Sequence, residues 1–202
     1  KRDTYLQQII RNMWNGEIKV ITGIRRCGKS VLLFNLFKDY LLSQNIPEDN
    51  IIKIELDQRR YYKFRNPITL CEYVESIISK KNDEKFYLFI DEVQFTIKVE
   101  DPENDNIIVS IYDMLNELKA YPNLDVYVTG SNSKGLSRDI ATEFRGRATQ
   151  IHVYPLSFKE FYAYIGGDER KALEKYMLYG GMPRILFFSD DTDKKRYLTS
   201  LY

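Results

Sequence analysis

The eight residues from Gly23 to Ser30, GIRRCGKS, constrain the fold of this chain more than any other segment. They follow an apolar run, Ile18 to Thr22, and precede a segment whose apolar residues recur at helical spacing from Leu33 to Leu41. Two glycines allow the backbone between these segments to curl, so that successive N–H groups point inward at the start of the helix. The sequence therefore predicts a strand, an anion-binding loop and a helix, in that order.

The residue types at the end of this loop fit a polyphosphate, and we predict ATP as the ligand with Mg²⁺ as the cofactor. Lys29 is placed to reach the β- and γ-phosphates, and the hydroxyl of Ser30 is placed to ligate magnesium. Cys27 is either a small residue that fits the curve, which we favour, or a thiol with a lowered pKa. The residues predicted to contact ATP are Gly23, Ile24, Arg25, Arg26, Cys27, Gly28, Lys29, Ser30 and Val31.

A second apolar run, Phe86 to Ile90, ends in the carboxylates of Asp91 and Glu92. We predict that Asp91 holds the magnesium ion, directly or through water, and that Glu92 polarises the water that attacks the γ-phosphate. A solvated strand end is the alternative. The interval from Lys29 to Asp91 accommodates an extra strand and two helices, which is typical of P-loop enzymes with an additional strand between the loop strand and the acidic strand.

The run from Asp125 to Thr129, followed by Gly-Ser-Asn, supplies such an additional strand. Ser131 or Asn132 at its tip would then orient the attacking water or sense the γ-phosphate. The sequence lacks the NKxD motif that reads guanine, which disfavours a GTPase. A glutamate that activates water also disfavours a kinase acting on a metabolite, because it would promote hydrolysis.

Short apolar runs alternate with helical segments along the chain, which predicts an α/β fold with a mostly parallel sheet. Together with the anion-binding loop and the acidic strand end, five such runs indicate a P-loop NTPase three-layer sandwich with a five-stranded sheet. We expect the strand order 5-1-4-3-2, with a core over residues 1–156 and a small helical lid over 157–202. One predicted helix has Ile108, Ile111, Leu115 and Leu118 facing inward. The predicted strands are Ile18 to Thr22, Ile51 to Leu56, Phe86 to Ile90, Asp125 to Thr129 and Gln150 to Tyr154.

Five segments occur in the order and spacing of a known family: TGIRRCGKSVLL, FIDEVQ, YVTGSNSKGLS, FRGRATQIHVYPLSFKEF and YGGMPR. On them the chain resembles the prokaryotic AAA-type ATPases that carry a C-terminal domain of unassigned function. The resemblance implies an ATPase core, a helical lid and a separate C-terminal domain, and we expect this chain to end before that domain. It assigns Lys29 and Ser30 to the Walker A motif and Asp91 and Glu92 to the Walker B motif.

The same resemblance makes Asn132 the first sensor, and places Arg145 and Arg147 where such ATPases have arginines that face a γ-phosphate. These two arginines act on their own nucleotide or on that of a neighbouring copy, in which case the chain self-associates, or they lie in a solvated turn. Arg184 is either a lid arginine that closes on the phosphates or a residue with a helix-cap or surface role.

The composition of the chain argues against several other classes of protein. The formal net charge is +1, so a nucleic-acid partner would have to be recognised by a local patch. Two cysteines and one histidine provide no disulfide framework or zinc cluster, and no apolar run is long enough to span a membrane, so we expect a cytoplasmic protein. One candidate patch is QRRYYKFRN, residues 58–66, in which cations alternate with aromatic residues. It is typical of single-strand nucleic-acid binding, but a loop that packs its tyrosines on the core is the reading we favour.

These observations predict an enzyme that hydrolyses ATP with magnesium and thereby changes the conformation of an attached or partner domain. We expect Lys29, Glu92, Asn132, Arg145 and Arg147 to be its catalytic residues and Ser30 and Asp91 its metal ligands. The alternative is a nucleotide-gated binding module with little turnover, whose client is a nucleic acid or a protein.

Overall fold

A computed structural model describes residues 2–81, 83–131, 144 and 148–201, and over these residues the chain forms a three-layer α/β sandwich. The central sheet contains five strands, all paired in parallel. A two-stranded antiparallel hairpin lies outside it. In chain order the strands are β1 Ile18–Thr22, β2 Ile51–Glu55, β3 Phe86–Asp91, β4 Val99–Glu100, β5 Ile108–Val109, β6 Leu124–Gly130 and β7 Ala148–His152.

The order of the central sheet is β7-β1-β6-β3-β2. The predicted fold class is therefore confirmed, and the five long strands stand in the predicted order. Their numbers differ from the prediction because the hairpin strands β4 and β5 precede the predicted fourth and fifth strands in the chain. The last strand also begins two residues earlier than predicted, since Ala148 pairs with Ile18 and His152 with Thr22.

Helices cover both faces of the sheet. A continuous helical segment, α2, runs over residues 29–43, and its middle, Leu32–Phe37, is π-helical. Short 3₁₀ helices occur at Glu48–Asn50, Arg59–Arg65, Val93–Phe95 and Pro183–Phe187. The α-helices are α1 Asp3–Arg11, α3 Pro67–Ile78, α4 Ile111–Leu118, α5 Phe158–Ile165, α6 Glu169–Tyr179 and α7 Asp191–Thr199.

Alternation along the buried strands divides the core into two layers. In β3, Phe86, Leu88 and Ile90 pack on the side of α3 and α4. Tyr87 and Phe89 pack on the other side with α1 and α2. Because every residue of β3 is buried, both faces of the sheet are covered, as a parallel sheet requires.

One predicted helix is shorter than expected. Ile108, predicted to face the core, is exposed and pairs with Glu100 in the hairpin. The helix begins after Ser110, where the side chains of Ser110 and Asp113 form a capping box. The cap fixes the helix start at Ile111 and leaves Ile108 outside the helical register.

The helices after β7 contact the core through the chain that leads into them. The backbone N–H of Leu156 donates to the carbonyl oxygen of Gly181 at 2.7 Å, and the hydroxyl of Tyr176 donates to the carbonyl of Leu156 at 2.7 Å. Near the N-terminus, the Arg2 guanidinium donates to the carbonyl oxygens of Cys27 and Tyr154. Among the described residues, no helix is long and apolar enough to cross a membrane.

Candidate active site

The predicted anion-binding loop lies at the carboxyl end of β1, where it turns into α2. Gly23, Arg26 and Gly28 have positive φ angles of 149°, 65° and 101°, so the loop curls tightly between strand and helix. Lys29 is buried, and its ammonium group donates to the carbonyl oxygens of Gly23 at 3.0 Å and Ile24 at 3.1 Å. The lysine thus lies inside the curve of its own loop.

Gly23 is held in this conformation by its surroundings. A Cβ atom at this position would lie 2.2 Å from the carbonyl oxygen of Val153 and 2.9 Å from the sulfur of Cys27. Its φ angle is also one that side-chain-bearing residues rarely adopt. The loop therefore depends on glycine here both for conformation and for space.

We expect Gly23→Ala to lower the free energy of unfolding by roughly 3 kcal/mol or more, because backbone strain and a backbone clash add. Gly16→Ala is the matched control: its φ is +75° and its Cβ would meet nothing within 4 Å, so strain alone should cost it about 1 kcal/mol. Urea unfolding of both variants measures the difference. Equal midpoints would show that the loop relaxes around the added methyl group.

Cys27 is fully buried beside Gly23. Its thiol donates to the carbonyl oxygen of Val153 at 3.3 Å. Burial raises the pKa of this thiol, and the nearby positive charges of Lys29 and Arg2 offset the rise only in part. The alternative of an activated thiol is therefore wrong, and Cys27 is a small residue that fits the loop.

Asp91 and Glu92 lie at the carboxyl end of β3, beside the loop. The Ser30 hydroxyl donates to the Asp91 carboxylate at 2.8 Å, and the Thr129 hydroxyl donates to the other carboxylate oxygen. Burial raises the pKa of Asp91, these two hydrogen bonds lower it in part, and the negative charge of Glu92 raises it further. Because burial disfavours the charged form of Asp91, a nearby cation would stabilise its carboxylate.

Glu92 adopts a left-handed backbone conformation with φ 55°, which directs the chain from β3 into the 3₁₀ turn Val93–Phe95. Its backbone N–H donates to the Thr129 hydroxyl at 3.1 Å. Its carboxylate accepts hydrogen bonds from the Ser131 backbone N–H at 3.2 Å and from the side chain of Gln94. Glu92 is thus tied to the tip of β6, the strand between β1 and β3.

A cavity of about 320 Å³ lies between the anion-binding loop and Glu92 on one side and the C-terminal helices on the other. One wall is formed by residues 28–31 of the loop and helix, together with Arg26 and Glu92. The other wall is formed by Pro183, Arg184, Phe187 and Tyr197. This volume lies at the lower end of the range that small-molecule sites occupy.

Both arginines of the cavity lie close to one aromatic ring. The guanidinium of Arg26 lies 5.6 Å from the ring centre of Tyr197, and that of Arg184 lies 5.7 Å from the same centre. Sequence reasoning placed Arg184 near a lid or a helix cap but did not find Tyr197. The positions of Asn132, Arg145 and Arg147 lie outside the described residues.

The sequence analysis also missed Thr129 and Gln94. Thr129 is the last residue of its predicted strand, and a hydroxyl residue at the end of a strand next to β3 is placed to contact Asp91. Gln94 carries no comparable signal, because only the turn after Glu92 brings its amide back to the carboxylate.

Comparison with known proteins identifies the family of this chain. Residues 15–162, more than half of the chain, match the family described as AAA domain, and the protein belongs to that family. An uncharacterised protein of Haemophilus influenzae is 33% identical over 206 residues, covering 100% of this chain and 48% of the relative. An uncharacterised protein of Methanocaldococcus jannaschii is 31% identical over 198 residues, covering 90% and 39%, respectively. The chain thus spans about half, or less, of the length of these curated relatives.

Solved structures show the same fold. The Walker-type ATPase of Pyrococcus abyssi superposes with a TM-score of 0.58 at 19% identity, covering 100% of this chain and 71% of that protein. Caenorhabditis elegans PCH-2 superposes with a TM-score of 0.52 at 13% identity, covering 88% and 46%. The predicted resemblance to AAA-type ATPases is confirmed, and the C-terminal domain stays a prediction.

Proposed function

We propose that this protein binds ATP in the cavity between its loop and its C-terminal helices and hydrolyses it. The observation that carries the proposal is the hydrogen bond from Ser30 to Asp91, which joins the anion-binding loop to the acidic strand end. Lys29 lies on the same loop, and Glu92 follows Asp91 directly. A phosphate-binding lysine, a candidate metal pair and a candidate base thus belong to one connected site.

The chemistry of the donors at this site suits magnesium. Ser30 and Asp91 present hydroxyl and carboxylate oxygens, the ligand types that Mg²⁺ takes in nucleotide sites. Within the described ranges, no group of three or more His, Cys, Asp or Glu side chains is arranged to hold a metal. A nucleotide-bound Mg²⁺ needs only one or two protein side chains, since phosphate oxygens and water supply its other ligands, and it neutralises phosphate charge when bound.

We assign the other steps to residues of the chain itself. Lys29 binds and orients the phosphates, and the Glu92 carboxylate accepts a proton from the attacking water. The exposed apolar surfaces of Val31 and Phe187, which come from the two walls of the cavity, provide contacts for a purine ring. We also propose that Asn132 is the first sensor and that Arg145 and Arg147 face the γ-phosphate. Self-association through these two arginines belongs to the same proposal.

A nucleotide in this cavity would touch both the core and the helices beyond residue 157, because each contributes one wall. We therefore propose that residues 157–202 act as a lid and that turnover moves this lid. An attached or partner domain would receive that movement. The proposal rests on the shared cavity and on the contacts of Leu156 with Gly181 and Tyr176.

Lys29→Met tests the binding step. We expect the affinity for MgATP to fall by about 10- to 100-fold, since a charge-assisted hydrogen bond contributes about 1.5–3 kcal/mol. Lys38→Met makes the same change of charge on the same helical segment and should leave affinity unchanged. Isothermal titration calorimetry measures both variants, and phosphate release is followed in parallel. Absence of saturable MgATP binding by the wild type, or equal affinity for Lys29→Met, would show that the loop is not the ATP site.

A further inference from the structure

A surface beside the acidic strand end is not used by the proposed hydrolysis. It joins the 3₁₀ helix Arg59–Arg65 to the segment that follows Glu92. Three of its side chains are exposed cations, two are exposed aromatic rings, and one is an arginine held between those rings. We call it the aromatic–cationic surface; its members are Arg59, Tyr62, Lys63, Arg65, Phe95 and Lys98.

The centre of this surface is built from fixed contacts. The guanidinium of Arg65 lies 4.0 Å from the ring centre of Tyr62 and 4.9 Å from that of Phe95. Its Nε donates to the carbonyl oxygen of Leu56 at 2.9 Å, and its own carbonyl accepts from the backbone N–H of Ile97 at 2.9 Å. Backbone and side chain of Arg65 are therefore both held by hydrogen bonds, and each of the two rings lies close to its guanidinium group.

Core packing accounts for only part of the aromatic content of this segment. Phe64 is buried and Tyr61 packs against the same core cluster, as the packing interpretation of residues 58–66 expects. Tyr62 and Phe95, however, leave 49% and 40% of their surface exposed. Two rings with free surface therefore stand on either side of a cation.

The charge of this region differs from that of the chain. Residues 57–65 contain four cations and one carboxylate, whereas the whole chain has a net charge of +1. Glu55, just before them, pairs with Arg60 at 3.2 Å and leaves Arg59 and Lys63 exposed. The local excess of positive charge favours an anionic partner.

We propose that the aromatic–cationic surface binds single-stranded nucleic acid. Unstacked bases offer flat faces to Tyr62 and Phe95, and the phosphates of the same strand pair with Arg59, Lys63 and Lys98. An acidic peptide would use the cations but not the rings, and a duplex offers no unstacked bases. Two exposed rings around Arg65, together with exposed cations on the same two segments of the chain, therefore favour a single strand.

The proposal goes beyond ATP hydrolysis and does not depend on it. The two sites are nevertheless adjacent, because the Phe95 backbone N–H donates to the carbonyl oxygen of Glu92 at 3.0 Å. A strand stacked on Phe95 would thus contact the turn that carries the candidate base.

Fluorescence anisotropy with a labelled oligothymidylate of about 16 nucleotides tests this surface. We expect Tyr62→Leu to weaken binding by about 5- to 100-fold, because stacking on one ring is lost. Tyr164→Leu, at another exposed tyrosine, should bind as the wild type does. For the double variant Arg59→Ala/Lys63→Ala, the slope of log affinity against log salt should become shallower by roughly 0.7 per cation removed.

Three outcomes would contradict the proposal. Absence of salt-dependent binding by the wild type, with or without ATP, overturns it. Binding that neither variant weakens would lie elsewhere on the protein. If polyglutamate competes as well as the oligonucleotide and Tyr62→Leu leaves binding unchanged, the partner is acidic protein. As a control, urea unfolding of each variant distinguishes a loss of binding from a loss of the folded state.

Discussion

Replacing Glu92 by glutamine is expected to lower the rate of ATP hydrolysis by about 100- to 10,000-fold while leaving MgATP affinity within a few-fold of wild type. An amide cannot accept the proton of the attacking water, whereas the volume of the side chain is nearly unchanged. Among the described residues, the Glu92 carboxylate accepts hydrogen bonds from Gln94 and Ser131 and not from the anion-binding loop, so binding should persist. The result would appear as unchanged calorimetric binding with strongly reduced phosphate release.

The hydrogen bonds of the Glu92 side chain should persist when it is replaced by glutamine. Its carboxylate accepts from the Ser131 backbone N–H and from Gln94, and the amide oxygen of glutamine can accept the same bonds. The variant should therefore hold its side chain in place and differ mainly in basicity. Asp91 and Thr129 keep their contacts, because neither involves the Glu92 side chain.

Glu100→Gln is the matched control, since it removes one negative charge from an exposed residue of the hairpin. It should hydrolyse ATP at the wild-type rate. Equal turnover of Glu92→Gln and wild type would contradict the role of Glu92 as base. If the wild type binds ATP but releases almost no phosphate, the nucleotide-gated binding module becomes the better description.

Glu92→Gln also tests whether residues 157–202 act as the proposed lid, because this variant should retain bound ATP. Hydrogen exchange of residues 183–197 should then be slower with ATP than with ADP, since that segment forms one wall of the cavity. Identical exchange with both nucleotides would argue against a lid that responds to the γ-phosphate.

The long elements could be predicted from the sequence because local patterns and tertiary packing agree. Strand β1 has its predicted bounds, and the loop, the acidic strand end and the strand between them occupy the predicted places. Buried parallel strands are nearly continuous apolar runs, and the loop glycines are required by backbone conformation. Both signals are local, so a single sequence carries them.

Contacts between distant segments could not be predicted in the same way. The hairpin of β4 and β5 pairs only two residues on each side, too few to leave an alternating pattern. Tyr197 reaches the cavity through the packing of α7, a helix whose sequence resembles any exposed charged helix. Gln94 depends on the left-handed turn at Glu92. No spacing rule relates these residues to the loop.

The ion pair of Lys19 and Asp125 is another feature that sequence analysis did not find, and it lies at the opposite end of the sheet from the loop. Lys19 is completely buried within β1, and its ammonium group donates to the Asp125 carboxylate of β6 and, at 2.8 Å, to the Glu17 carbonyl oxygen. Asp125 also accepts from the Trp14 backbone N–H at 3.0 Å and from the Tyr127 hydroxyl at 2.6 Å. Burial lowers the pKa of Lys19, and Asp125 offsets this in part.

We expect Asp125→Ala to lower the free energy of unfolding by about 3–5 kcal/mol at neutral pH. The substitution leaves a buried ammonium group without its counter-charge and removes the acceptor for Trp14 and Tyr127. Urea unfolding, read by circular dichroism, measures the effect. The loss should shrink as pH rises towards about 10. Without Asp125 the pKa of Lys19 falls further below its usual value than in the wild type, so the folded variant releases the proton at a lower pH while the unfolded chain keeps it, and the stability of the variant gains more with pH than that of the wild type.

The double variant Lys19→Met/Asp125→Leu separates an unpaired charge from lost packing. Since it removes both charges and fills the site with apolar groups, it should recover most of the stability that Asp125→Ala loses. Lys53→Met is the control for a lysine on another strand of the same sheet, β2, where the ion pair with Glu48 is partly exposed and contributes little to stability. If the double variant is no more stable than Asp125→Ala, the hydrogen bonds to Trp14 and Tyr127, rather than the buried charge, dominate the contribution of Asp125.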